Sequence, residues 1–174
     1  MQTAIRFIGI LNAALWFGSV VFFTVVGGPA FFSPEMESIL PRPYAARAVE
    51  VVLARFYSLQ MLCAFVALMH LAVEYFHCGR APSRWSVGLL TALLAFNLIS
   101  GFGLQPKMHR LQAVRYLPSS TEVQRAEAIR SFAVWHGVAQ TLNLLVLVGL
   151  GIHLWTVTRP ITTPRFSTWD KFRG

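Results

Sequence analysis

A chain of 174 residues that is 55% hydrophobic, has a mean hydropathy of +0.55 and carries only 13% charged residues cannot form the charged surface of a soluble domain. Its charges gather in short stretches and leave four long intervals almost free of them, the pattern of a polytopic membrane protein. A net charge of +8 would suggest nucleic acid in a soluble chain. Here the basic residues stand at the ends of apolar runs, where anionic headgroups lie, with no zinc-finger spacing or aromatic-basic pattern, so nucleic-acid binding is set aside.

The first apolar run spans residues 5–26 and ends at Gly27-Gly28-Pro29. Its apolar stretch exceeds the core of a cleaved secretory signal, which predicts a retained helix. The second run, 51–76, has Arg55 near its start and Glu74 near its end; the third, 85–104, stops at Gln105-Pro106; the fourth, 132–157, stops at Arg159-Pro160. At 1.5 Å per residue each crosses a hydrocarbon core of roughly 30 Å. The expected fold is therefore an all-α membrane protein, a four-transmembrane-helix antiparallel bundle over residues 1–157.

The connections differ in length. "HCGRAPSR" is a tight turn between the second and third runs, whereas residues 30–50 and 106–130 form two longer loops on the opposite side. In the second of these, Ser120 or Thr121 can cap a polar helical lead-in to the fourth span. The first can hold a short interfacial helix in "PYAARAVEVVLARF". The tail, 158–174, is broken by prolines and interleaves Arg and Lys with Phe166, Trp169 and Phe172, as an interfacial segment does. Seven basic residues on the terminal side lie in short segments near span ends, which favours both termini in the cytoplasm. For a bacterial chain the membrane would be the cytoplasmic one.

Depth sorts the polar residues. His70 and His153 fall in the terminal-side leaflet, with Asn12 at a similar level. His109 and His136 fall on the loop side. His136 and His153 stand 17 positions apart on one helix, roughly 25 Å, and cannot share a ligand. Two pairs remain, His109 with His136 and His70 with His153. Either could ligate haem b, and the first, with Met36 and Met108 nearby, could hold copper. A single hydrogen bond for each imidazole is the favoured reading, and the cofactor stays open. Near the midplane, Gln60, Asn97, Gln140 and Asn143 are expected to serve as polar glue, with Gln140 and Asn143 locking the fourth helix to Gln60 and Asn97. Cys63 reads as a small core hydrophobe. Gly9, Ala13, Ala14 and Gly18 give the first helix small-residue packing steps. No GxSxG, HExxH, P-loop or paired carboxylate is present, so no enzymatic activity is expected.

Four stretches, "LNAALWFGSVVFFTVVGGPAFF", "LARFYSLQMLCAF", "NLISGFGLQPKMHRL" and "FAVWHGVAQTLNL", resemble the transmembrane-protein-205-like family (domain of unknown function 4149) across residues 10–150. The most specific element is Trp135, His136 and Gly137 followed by Asn143 and Leu144, supported by Pro106. Gln105 stands where an acidic residue can precede that proline, and Trp135 where a tyrosine can precede the histidine. The resemblance implies a four-helix membrane protein and carries no agreed activity. A weaker likeness to copper-resistance and haem-related four-helix membrane proteins rests on helix count and on histidines at span ends. The leading expectation is a non-enzymatic accessory or structural subunit acting by lateral helix packing in the bilayer, with other membrane subunits or as a homo-oligomer. A haem- or copper-handling protein is the alternative, and a small-solute transporter using the midplane amides ranks third.

Overall fold

A computed structural model describes residues 2–78 and 83–159; the interfacial tail expected from the sequence falls almost wholly in 160–174 and so lies outside the described residues. In chain order the elements are α1 (Gln2–Phe22), a π-helical segment (Phe23–Gly27), α2 (Gly28–Ala30), α3 (Pro34–Ile39), α4 (Arg42–Cys78), α5 (Arg84–Leu98), a second π-helical segment (Ile99–Leu104), α6 (Gln105–Tyr116) and α7 (Glu122–Thr158). These join into four helices long and apolar enough to cross a membrane: Thr3–Ala30, Arg42–His77, Arg84–Tyr116 and Glu122–Thr158. The all-helical, four-span architecture read from hydropathy is the one observed.

Both π segments have the same local cause. Each ends two residues before a proline, Pro29 or Pro106, whose ring has no N–H and collides with the carbonyl four residues back. Widening the helix moves the hydrogen bond one residue further. The Gly28 N–H donates to the Phe23 carbonyl and the Gln105 N–H to the Ser100 carbonyl, each bond spanning five residues. The helix therefore passes through its proline. This corrects the expectation that the third span stops at Pro106, because α6 continues its line to Tyr116.

The second and fourth helices also outrun their apolar runs. At 37 residues each, α4 and α7 extend about 55 Å, well beyond a core of roughly 30 Å. The segment expected to hold a separate interfacial helix is instead the first turns of α4. Thr121 caps α7: its hydroxyl accepts from the Gln124 N–H, and the Gln124 side chain accepts from the Thr121 N–H, a complete capping box. On the same side, α3 is capped by Ser33 and tied to α4 by the Arg42–Glu37 ion pair at 2.8 Å. That carboxylate pushes the Arg42 guanidinium up, while the Glu35 carboxyl is held below its ordinary value by backbone and Ser33 hydrogen bonds.

In cross-section α1 and α5 each pack against both α4 and α7, giving a square array, and α6 lies along α7. The core is Trp16, Val20, Cys63, Ala64, Ala67, Leu90, Leu93, Val146 and Leu150. Lipid is as apolar as leucine, so helices gain little from burying large side chains and associate through close approach of small ones. Cys63, Ala64 and Ala67 supply that on α4, and Gly149 receives Leu93, whose Cδ2 would lie 3.0 Å from a Cβ placed there. Large apolar residues such as Phe7, Leu11, Phe22, Phe65 and Trp155 point outward, as they should toward lipid.

Candidate functional site

Each span contributes one buried polar residue, Asn12, Gln60, Asn97 and His153. In hydrocarbon such a group needs a partner inside the protein. Asn12 Nδ2 donates to the Cys63 carbonyl at 3.0 Å, and Trp16 Nε1 donates to Gln60 Oε1, so two side-chain bonds stitch the first span to the second. Asn97 Nδ2 is buried with no hydrogen-bond partner among the described residues. The Trp16–Gln60 bond escaped the sequence reading. An indole in mid-span was the available signal, since its N–H has to find an acceptor when buried.

The amide lock expected between the fourth helix and Gln60 and Asn97 is not what forms. Asn143 Nδ2 donates instead to Thr24 Oγ1 at 2.8 Å, joining the fourth span to the first, because α1 and not α4 is the neighbour on that face of α7. Gln140 is exposed on the outer face of α7, with no hydrogen-bond partner among the described residues.

The loop-side histidines have different neighbours. His109 on α6 approaches α4: Arg47 Nη1 lies 2.6 Å from its Nε2, and Glu50 Oε2 lies 3.4 Å from the same nitrogen. One nitrogen cannot accept from the guanidinium and donate to the carboxylate at once. The shorter contact decides for an unprotonated Nε2, with Arg47 also pairing with Glu50 at 2.9 Å. His136 is exposed and stacks on Phe132 of its own helix, ring centroids 5.7 Å apart. Neither imidazole is hydrogen-bonded to the other. The Met36 N–H donates to the Ser33 hydroxyl, and Met108 is half-buried on α6. Among the described residues no group of three His, Cys, Asp or Glu side chains is gathered to hold a metal ion.

The terminal-side pair does converge. His70 and His153 line one chamber of about 210 Å³ with Arg6, Gly9, Glu74 and Ser86, reached by all four spans. His70 Nε2 donates to the Ile5 carbonyl at 3.1 Å and lies 3.9 Å from Glu74. Gly9 makes room for it: a Cβ there would come within 3.0 Å of three ring atoms. His153 is buried with its ring edge-on to Trp16, centroids 6.3 Å apart. Arg6 closes the end of α7, its Nη2 donating to the Thr158 and Arg159 carbonyls at 3.2 and 3.1 Å. Those carbonyls are orphans of the helix terminus, so a guanidinium there meets both their hydrogen-bonding need and the helix dipole.

A model of a domain of unknown function, DUF4149, matches residues 11–117. The chain belongs to this family. The family region takes in Asn12, Trp16, Gln60, His70 and Asn97, and also both π segments with their prolines. It ends before α7, so the Trp135-His136-Gly137 element lies outside the matched residues. No curated protein and no solved structure matches the chain.

Proposed function

We propose that this multi-pass protein is a non-enzymatic accessory subunit that works by lateral helix packing in the membrane, with the outer face of α7 as its contact surface. The observation that carries the reading is Gln140. Eight residues into the span from Phe132, it lies about 12 Å inside a core of roughly 30 Å, exposed and without a partner among the described residues. A primary amide left in hydrocarbon costs several kcal/mol, and a facing helix removes that cost.

The surroundings suit such a helix. Ala133, Gly137 and Thr141 recur every four residues beside Gln140, a Cβ on Gly137 would meet nothing within 4 Å, and the Thr141 hydroxyl is turned onto the Gly137 carbonyl at 3.0 Å. This small-residue run lets a second backbone approach closely enough for the amide to bond across. An amide both donates and accepts, so a second copy of α7 and a different subunit are both suitable partners. We place both termini in the cytoplasm, a reading supported by the basic residues clustered at the terminal-side span ends.

The test is association in liposomes, read by energy transfer between labelled chains and by recovery of stoichiometric partners from native membranes. Gln140→Leu is expected to weaken association about five-fold, the value of roughly 1 kcal/mol per interhelical hydrogen bond. Unchanged association in both assays would overturn the assignment of this face.

A further inference from the structure

The terminal-side chamber holds charged groups whose bonding capacity is not used up. Arg6 spends both Nη2 hydrogens on the Thr158 and Arg159 carbonyls, which leaves its Nε and Nη1 hydrogens as donors. Among the described residues Glu74 is the one carboxylate in the lining, and its closest charge partner is the His70 ring at 3.9 Å, beyond hydrogen-bond range. His70 donates its Nε2 hydrogen to the Ile5 carbonyl. The chamber therefore offers the unspent donors of the Arg6 guanidinium and one carboxylate that lacks a close cation among the described residues.

Position and size narrow the ligand. Arg6 lies near the start of the first span, Glu74 near the end of the second, Ser86 near the start of the third and Arg159 just past the fourth, all at the headgroup level of one leaflet. A volume of about 210 Å³ is below the roughly 300–1,000 Å³ of sites for drug-sized molecules and suits a headgroup-sized one. Guanidinium groups bind phosphate oxygens through paired N–H bonds, and basic pockets between spans are known sites for phospholipid headgroups. The carboxylate adds a demand that a simple anion does not meet.

We propose that the chamber binds a phosphoryl group carrying a primary ammonium, the chemistry of phosphoethanolamine, with Arg6 on the phosphate and Glu74 on the ammonium. The group can arrive as a phosphatidylethanolamine headgroup or as the free zwitterion. A trimethylammonium group has no N–H to donate to Glu74, so choline is the discriminating analogue.

The experiment is native mass spectrometry of the full chain released from vesicles of equal parts phosphatidylethanolamine, phosphatidylcholine and phosphatidylglycerol. A second arm titrates free phosphoethanolamine and inorganic phosphate against lipid-free protein in detergent. Retention of phosphatidylethanolamine at least five-fold over both other lipids is expected, with Glu74→Gln removing the preference over choline. Glu74 is the informative position, since Arg6→Gln also uncaps α7. Binding of free phosphoethanolamine ahead of inorganic phosphate identifies a soluble source, and retention of the lipid alone identifies the bilayer. Preferential retention of phosphatidylglycerol, an ethanolamine preference that survives Glu74→Gln, or no binding in either arm would overturn the proposal.

Discussion

Gly9→Ala puts the packing of the terminal-side chamber to a quantitative test. In most helices this change is favourable by about 1 kcal/mol, because alanine is the better helix former. Here the added Cβ would come within 3.0 Å of three atoms of the His70 ring, which is anchored on the Ile5 carbonyl at 3.1 Å and only 9% exposed. The ring has two ways to respond. It can stay, with an overpacking cost of about 1–3 kcal/mol, or it can leave and break a hydrogen bond whose unpaired buried groups cost a similar amount. Less the gain in helix propensity, the net destabilisation is about 1 kcal/mol, and at most about 2 kcal/mol. Reversible unfolding in mixed micelles reads this, and a double-mutant cycle with His70→Ala isolates its cause. In the His70→Ala background the clash partner is gone, so Gly9→Ala should become neutral or stabilising by up to about 1 kcal/mol. Equal or greater stability of Gly9→Ala in the wild-type background would refute the reasoning, as would the same cost in both backgrounds.

Trp16→Phe keeps the ring and deletes the donor to Gln60, leaving a buried acceptor unpaired; unfolding in micelles should show a loss of about 1–2 kcal/mol. Asn97→Leu has the opposite sign: the amide nitrogen it removes has no partner among the described residues, so the near-isosteric change should be neutral or stabilising in the same assay. Thr121→Ala breaks the capping box of α7 and should cost about 1 kcal/mol of local stability, seen as faster proteolysis between Leu117 and Gln124 with the spans intact.

The four spans were legible because hydropathy over some twenty residues records the bilayer directly. The cap at Thr121 was legible because its partners lie within three residues. Helix ends were read less well. Proline at 106 looks like a stop when only the α-helical hydrogen-bond pattern is considered, and a π segment, whose bonds span five residues, lets the helix run through it. The partners of the buried amides were hidden for a different reason. In a soluble helix the polar face marks the outside, but here lipid and core are both apolar, so the sequence does not show how each helix is rotated. That rotation sent Asn143 to Thr24, gave Gln60 to Trp16, and turned Gln140 outward. Gly9 read as a generic small-residue step and proved to be the space for an imidazole.

The central claim, that the outer face of α7 meets another protein, is tested most directly by a photo-crosslinking amino acid at position 140, with position 7 on the lipid-facing side of α1 as control. Irradiation of native membranes should give a discrete protein adduct from position 140, either a second copy of the chain or one defined partner, and lipid adducts alone from position 7. Lipid adducts alone from both positions would contradict the account.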